Sequence, residues 1–366
     1  MRAGENFVCL GHRRSWFLRG VNGPQSGRLT HSVAGKKADY SLEIHRREGH
    51  HHREMSAPLM IERFRGCLLG LAVGDAVGLP FEGIDGYGIF QSFGRAIDIV
   101  RSPPVENLSY SDDTQMMIGV AETLIEFGDA DPANLATAFG RNYDPGRGYG
   151  GGAKKILQAI KDGKDASSMP DTVFPGGSFG NGAAMRVAPI GICFHRDLDR
   201  VAYEAARSAQ VTHRHPVGVE GAVVLATAVA MAIQPHVYDR ATFYAELYGR
   251  VATDEFRERI ETASTSGNDI SPSSLGHGVE AHTSVVTAVL CYDQFRDSYE
   301  QTLASAIRAG GDVDTIAAMA CAISGASLGI TAIPQHLLDR LENDEQGRDY
   351  IDLLAVKLFE RFEKTH

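Results

Sequence analysis

Hydrophobic residues recur at helical spacing along almost the whole chain from Ile61 onward. Apolar positions three and four apart predict a helix, whereas strict alternation predicts a strand, and alternating stretches are scarce here. We therefore expect an all-α fold. After a first helix that starts near Ile61, the pattern predicts helices over residues 113–127, 152–161, 183–194, 198–211, 217–233, 241–251, 279–292, 298–308, 315–330 and 350–364.

The first predicted helix contains a glycine at every fourth position. Residues four apart lie on one face of a helix, so these glycines form a smooth stripe that another backbone can approach closely. The stripe predicts tight packing against a second helix. Its members are Gly66, Gly70, Gly74 and Gly78.

The two longest apolar runs, residues 67–81 and 221–233, predict buried core helices. A membrane-spanning helix needs about 20 apolar residues. Both runs are shorter, and the first contains Asp75, which we expect to make hydrogen bonds inside the protein. We therefore expect no membrane partner.

Residues 1–57 lack hydrophobic periodicity and contain several basic pairs and a short histidine tract. Three interpretations are open: a start at Met55 or Met60, an organelle transit peptide, or a disordered tail. We favour the first or the third. The remaining residues, 58–366, are expected to form a single all-α domain.

The charge and the cysteine content argue against several classes of function. The formal charge of −10 argues against a broad basic face for duplex nucleic acid. The five cysteines are far apart and form no CxxC pair, which favours reduced, buried thiols over a disulfide framework or a zinc site. We expect a cytoplasmic monomer.

Two acidic motifs, SDDT at residues 111–114 and GGDVDT at residues 310–315, each open a predicted helix. Their hydroxyl and carboxylate oxygens are the ligands that Mg²⁺ prefers. If the two helix starts meet, four aspartates would repel one another unless cations neutralise them. Two metal ions about 3.5–4 Å apart, bridged by one carboxylate, would do so.

Helix capping is the alternative interpretation of both motifs. Ser, Thr and Asp are preferred N-cap residues, and Asp112 and Gln115 have the spacing of a capping box. One cap needs one oxygen, so the second aspartate of each motif is left over, which favours a metal site. Glu82 lies in an apolar stretch, where it could be a metal ligand, a base or a surface residue of a turn.

The glycine-rich segment GGSFGNG, residues 176–182, precedes a helix predicted to begin near Ala183. Free N–H groups at a helix start favour an anion such as a diphosphate, with Ser178 and Asn181 as further donors. Phe179 could stack on a base. A flexible loop with a helix cap is the alternative. His213, between two predicted helices, could contact a ribose or a phosphate, or could simply end a helix.

Taken together, these motifs resemble the ADP-ribosylglycohydrolase family. The pairing of SDDT with GGDVDT carries most of the resemblance, which extends from about residue 61 to the C-terminus. It implies a compact orthogonal bundle with a dinuclear Mg²⁺ site in a cleft. The matching segments, in order, are residues 65–76 with 80–82, 110–114, 147–152, 177–189, 208–213 and 310–325.

The resemblance also implies a role for each matched residue. One Mg²⁺ would be held by Ser111, Asp112 and Asp113, and the other by Asp312 and Thr315, with Asp314 as the bridge. Ser111 stands where the family usually has Thr, which keeps the hydroxyl. Glu82 and Asp314 would act in catalysis, and the ADP-ribose group would be held by Gly150, Ser178, Phe179, Gly180, Asn181 and His213.

The resemblance implies partners that carry ADP-ribose, either modified proteins or small molecules. The main hypothesis is hydrolysis of oxygen-linked ADP-ribose, namely seryl-ADP-ribose, poly(ADP-ribose) or O-acetyl-ADP-ribose. Release of ADP-ribose from arginine is one alternative. A non-catalytic ADP-ribose-binding or structural relative is another, although the metal-site acids it would be expected to lose are all present. A Mg²⁺-dependent phosphohydrolase is a further possibility.

Overall fold

The computed structural model describes residues 57–164, 168–234 and 238–363. The interpretations of the N-terminal segment lie outside the described residues. Within these ranges the chain forms seventeen α-helices, six short 3₁₀ turns and no strand, so the all-α prediction is confirmed. The helices are α1 (Ala57–Gly78), α2 (Gly86–Phe93), α3 (Ala96–Arg101), α4 (Asp112–Phe127), α5 (Pro132–Asn142), α6 (Gly151–Lys161), α7 (Met169–Val173), α8 (Ala188–Cys193), α9 (Leu198–Ala209), α10 (Pro216–Ala232), α11 (Arg240–Tyr248), α12 (Asp254–Ser266), α13 (Ala281–Gln294), α14 (Tyr299–Ala309), α15 (Val313–Leu328), α16 (Gln335–Arg340) and α17 (Arg348–Phe362).

The glycine stripe of α1 packs directly on the backbone of α15, as predicted. A Cβ atom added at any of the four glycines would lie 2.4–2.7 Å from that backbone, too close for a real side chain. The facing positions run in opposite directions along the two helices, so the pair is antiparallel. Gly66 faces Gly325, Gly70 faces Cys321, Gly74 faces Ala317, and Gly78 faces Asp314.

Helix α1 lies inside the protein. The stretch Leu59–Phe81 is long and apolar enough to cross a membrane, but 83% of its most apolar window is buried among the other helices. The four described cysteines are also buried and free, in agreement with their prediction as small hydrophobic residues: Cys67, Cys193, Cys291 and Cys321.

The continuous helix predicted over residues 183–194 is wrong. The chain forms a 3₁₀ turn at Asn181–Ala183, and α8 begins only at Ala188. Pro189 explains the break, because its ring lacks an N–H and would clash with the carbonyl of the preceding turn in a continuous helix. Proline is tolerated in the first turn, and Pro189 lies there in α8.

Candidate active site

Two backbone hydrogen bonds hold the turn at residues 83–84, which follows α1, against the loop that precedes α15. The Gly83 N–H donates to the Gly311 carbonyl at 2.8 Å, and the Gly311 N–H donates to the Ile84 carbonyl at 2.9 Å. Gly310 and Gly311 both have a φ of +75°, a conformation that residues with a Cβ rarely adopt. The glycines of the GGDVDT motif therefore place its aspartates beside Glu82.

Helix α4 is capped by Asp75 from α1 together with Ser111. The Asp75 carboxylate is fully buried and accepts hydrogen bonds from the Ser111 N–H and from the N–H and hydroxyl of Thr114, at 2.6–3.1 Å. The Ser111 hydroxyl accepts from the Asp113 N–H at 3.2 Å. The expectation that Asp75 makes buried hydrogen bonds is confirmed. The cap therefore needs neither the Asp112 nor the Asp113 carboxylate.

At the start of helix α15, too, the cap does not use every carboxylate of the acidic motif. Asp312 occupies the N-cap position, but its side chain makes no capping hydrogen bond. The Asp314 carboxylate accepts from the N–H of the adjacent Thr315 through Oδ1, at 2.9 Å. The helix starts thus leave Asp112, Asp113 and Asp312 free of capping and engage one oxygen of Asp314.

The two acidic motifs meet in one buried cluster. Burial, followed by the charges of Asp75 and Asp314, raises the pKa of Asp113 well above its ordinary value. Burial and the charge of Asp312 raise the pKa of Asp314 to about 9. Burial and the charge of Asp75 raise the pKa of Asp112 to about 7. These carboxyl groups are therefore poorly compensated by the protein itself.

The donor set of this cluster fits a hard divalent cation. Carboxylate oxygens of Glu82, Asp312 and Asp314 lie within 4.8 Å of one another. Glu82 is exposed, whereas both aspartates are buried. The Oδ2 atom of Asp113 is buried and has no hydrogen-bond partner among the described residues. A buried, unpartnered carboxylate oxygen inside a cluster of acids matches a cation ligand.

The glycine-rich segment lies against the start of α13 and touches the acidic cluster. The Asn181 N–H donates to the Val279 carbonyl at 2.9 Å, and the Ala281 N–H donates to the Phe179 carbonyl at 3.0 Å. The Asn181 side-chain amide donates to Asp312 at 2.5 Å. Asn181 therefore connects the glycine-rich segment to the second acidic motif.

The structure corrects the expectation that an α-helix begins directly after this segment. Only a 3₁₀ turn follows at residue 181, because Pro189 delays α8. Three N–H groups of the segment already donate within the protein, those of Gly177, Gly180 and Asn181. The Phe179 side chain is 52% exposed and contacts His215 edge to face at 5.9 Å between ring centroids.

The other predicted binding residues lie on adjoining loops. Gly150 is exposed and directly precedes α6. In the same loop, a Cβ added at Gly148 would lie 3.8 Å from the Asp112 carboxylate, so this loop passes beside the first acidic motif. His213 is 8% exposed, and its ring borders Gly180 and Gly182.

Sequence reasoning missed the residues that support these loops. Arg147 donates to the Tyr110 carbonyl at 2.9 Å and pairs with Glu342 at 2.5 Å, directly before the SDDT motif. Gln115 accepts from the Tyr149 hydroxyl at 2.8 Å and so ties the 144–150 loop to α4. Arg147 falls in a family-like segment and could have been noticed, whereas Glu342 lies in an ordinary polar stretch.

A cavity of about 940 Å³ lies away from this chemistry, between α5, the end of α6 and the segment after α9. None of the predicted site residues is among the residues that line it. We place the candidate active site at the acidic cluster and not in this cavity, because the unpartnered carboxylate oxygen lies in the cluster.

The comparisons with known proteins show the family to which the chain belongs. The model of the family described as ADP-ribosylglycohydrolase matches residues 56–366. A solved structure titled an ADP-ribosylglycohydrolase-related protein complex is similar over 83% of this chain and 99% of its own, with a TM-score of 0.64 and 25% identity.

Several curated relatives are similar over most of their length. An uncharacterised protein of Archaeoglobus fulgidus is 34% identical, covering 82% of this chain and 97% of its own. ADP-ribosylhydrolase ARH3 of Danio rerio is 32% identical, covering 85% of this chain and 93% of its own. The human protein of the same name is 31% identical, covering 83% and 95%.

Proposed function

The chain belongs to the ADP-ribosylglycohydrolase family and is a glycosidic-bond hydrolase, and from this premise we propose that it releases ADP-ribose from oxygen-linked adducts with two magnesium ions as cofactors. The adducts are seryl-ADP-ribose, poly(ADP-ribose) and O-acetyl-ADP-ribose. The observation that carries the proposal is the convergence of both acidic motifs with Glu82.

The choice of linkage is supported by two segments of the site. PFEG at residues 80–83 and GGSFGNG at residues 176–182 resemble the family branch that acts on serine-linked and polymeric ADP-ribose. The first segment contributes Glu82 to the cluster, and the second contacts the cluster through Asn181. Both segments that suggest the linkage thus adjoin the proposed reaction centre.

The acidic cluster is the part of the site that would hold the ions. Following the resemblance, Ser111, Asp112 and Asp113 hold one ion, Asp312 and Thr315 hold the other, and Asp314 bridges them. Cations there would offset the mutual repulsion of the aspartates and give Asp113 Oδ2 a partner. When bound, magnesium supplies positive charge that orients sugar hydroxyl groups and stabilises charge in the transition state.

Glu82 is the group that we assign to proton transfer or to orientation of the scissile bond. Glycosidic cleavage passes through an oxocarbenium-like state, in which the leaving oxygen gains a proton and the attacking water loses one. Glu82 is exposed at the edge of the cluster, whereas Asp312 and Asp314 are buried. An accessible carboxylate can exchange protons with a substrate, which a buried one does less readily.

The ADP-ribose group would bind along the glycine-rich segment. Ser178, Phe179 and Gly180 offer a hydroxyl, an exposed ring and a close backbone approach, and His213 and Gly150 border the same region. Asn181 fixes the distance between this segment and Asp312. A ligand held here would present its distal ribose to the acidic cluster.

Modified peptides test the proposal directly. Seryl- and arginyl-ADP-ribosylated peptides of the same sequence would be incubated with the protein alone, with EDTA, and with EDTA followed by excess Mg²⁺. We expect ADP-ribose release from the seryl peptide, its loss in EDTA and its recovery with Mg²⁺. Release from arginine only would overturn the linkage, and release that persists in EDTA would overturn the role of the metal.

A further inference from the structure

His213 is held by a short chain of buried hydrogen bonds that leads back to Arg186. The Arg186 guanidinium is fully buried and donates to the Thr212 hydroxyl at 2.9 Å. The Thr212 hydroxyl oxygen lies 2.7 Å from Nδ1 of His213. No carboxylate pairs with Arg186 among the described residues, and its other donations go to the carbonyls of Gly182 and Ser208 and to the sulfur of Met116.

The direction of these hydrogen bonds fixes where the imidazole proton lies. Arg186 can only donate, so the Thr212 oxygen accepts from it. The Thr212 oxygen has a second lone pair, but its proton has no acceptor other than His213 Nδ1 among the described residues, so the hydroxyl donates to Nδ1. A neutral imidazole with an accepting Nδ1 has its proton on Nε2.

The Nε2 edge of the ring faces the glycine-rich segment. Cβ atoms added at Gly180 and Gly182 would lie 3.6 and 3.3 Å from Nε2. On the other side, a Cβ added at Gly218 would lie 3.3 Å from the histidine side chain. The ring is thus confined between two glycine-containing backbones, with its N–H directed toward the segment expected to hold the ligand.

We propose that Arg186 and Thr212 are positioning residues, which hold His213 as a neutral Nε2–H donor for an acceptor oxygen of the bound ADP-ribose group. The identity of the ligand rests on the proposed function, whereas the tautomer does not. Burial and the positive charge of Arg186 lower the pKa of His213 to about 3, which agrees with a neutral ring. The contact is therefore suited to a hydroxyl or phosphate oxygen and contributes no positive charge.

The first test reads the tautomer in the ligand-free protein. Nitrogen-15 NMR of histidine-labelled protein distinguishes a protonated from an unprotonated ring nitrogen, and His213→Asn assigns the signal among the 14 histidines. We expect an unprotonated Nδ1 and a protonated Nε2 in the wild type, and a mixture of tautomers in Thr212→Val. A wild-type ring with its proton on Nδ1, or a tautomer unchanged in Thr212→Val, would overturn the proposal.

The second test measures ADP-ribose binding by calorimetry. Losing an oriented neutral hydrogen bond costs about 1 kcal/mol, so Thr212→Val should weaken binding roughly fivefold. Thr212→Ser retains the hydroxyl and should restore affinity to within about twofold. Thr227→Val is the matched control, because Thr227 is equally buried and its hydroxyl has no hydrogen-bond partner among the described residues.

The two tests separate this proposal from the proposed function. If the expected tautomer is seen but seryl-ADP-ribose is not cleaved, the positioning role stands and the proposed function fails. If cleavage occurs but Thr212→Val and Thr227→Val bind ADP-ribose equally well, the positioning role fails. Thermal melting of each variant shows whether a loss of binding reflects unfolding.

Discussion

The acidic cluster and the Arg186–Thr212–His213 chain lie in one site but differ in how their polar groups are paired. In the cluster, like charges face each other, and one carboxylate oxygen of Asp113 has no hydrogen-bond partner in the described part of the chain. In the Arg186–Thr212–His213 chain, each of the two short contacts joins a donor to an acceptor, and the one polar atom left over is the buried Nε of Arg186, which has no partner among the described residues. Under the proposed function, a bound cation would offset the charges of the first region, whereas the second is ordered before any ligand binds.

The largest effect should come from removing the proposed bridging carboxylate. Asp314→Ala should lower the rate of ADP-ribose release roughly a thousandfold, because several kcal/mol of charge stabilisation in the transition state are lost. Circular dichroism should show a retained fold. Asp98→Ala, at an exposed acid paired with Arg95, is the control and should keep full activity. Unchanged turnover in Asp314→Ala would remove the cluster from the mechanism.

Substituting Glu82 should cause a smaller loss of activity than Asp314→Ala. Glu82→Gln removes a proton-transfer group, which typically contributes about a hundredfold in rate. Stabilisation by Mg²⁺, followed as a shift in Tm, should persist because the buried aspartates remain. If that Tm shift disappears together with activity, Glu82 is a metal ligand and not only a proton-transfer group.

Removing a charge from the acidic cluster should raise thermal stability, whereas it should lower activity. In metal-free protein, Asp113→Asn removes one of the repelling charges and should raise Tm by about 2–4 °C. The further increase caused by Mg²⁺ should shrink. Asp75→Asn is the matched comparison, and it should lower Tm because the Asp75 carboxylate accepts the hydrogen bonds of α4. A fall in Tm for both variants would contradict the picture of a repelling cluster.

The smallest effect concerns pH and the buried histidine. The pKa of His213 is lowered to about 3 in the folded protein, so between this value and its ordinary pKa near 6.5 only the unfolded chain binds the proton. This site should therefore favour unfolding increasingly as pH falls below 6.5, by about 1 kcal/mol at pH 5.5. Urea unfolding at pH 7.5 and 5.5, compared with His213→Gln, measures the difference. The same pH dependence in both proteins would contradict a buried neutral ring.

The fold was predictable wherever an apolar face was wide. The helices with broad apolar surfaces, such as α4, α10 and α15, agree with the predicted ranges to within a few residues. Helix α12 was missed because only Phe256, Ile260 and Ala263 are buried on an otherwise polar helix. The 183–194 prediction gave too little weight to Pro189, which decided the local structure over the apolar pattern.

The site was predictable where its chemistry is concentrated in short motifs. The paired aspartates could be found because helix capping does not need both of them. Arg186 lies in the family-like segment 177–189, but its role gave no comparable signal, since a lone arginine in an apolar stretch is ordinarily placed at the surface. Its partner Thr212 lies 26 residues away along the chain, and only the folded chain shows that they meet.

The contact between α1 and α15 has a consequence for how this enzyme can change during evolution. The two backbones touch once per helical turn, and the last of these contacts, Gly78 against Asp314, lies at the candidate active site. A methyl group introduced at Gly66 would have to be accommodated by moving one helix along or away from the other. Such a movement would also shift Asp314 relative to Glu82. Natural variation should thus be restricted at interior glycines remote from the candidate active site, and random mutagenesis should recover inactive variants there as readily as in the acidic cluster.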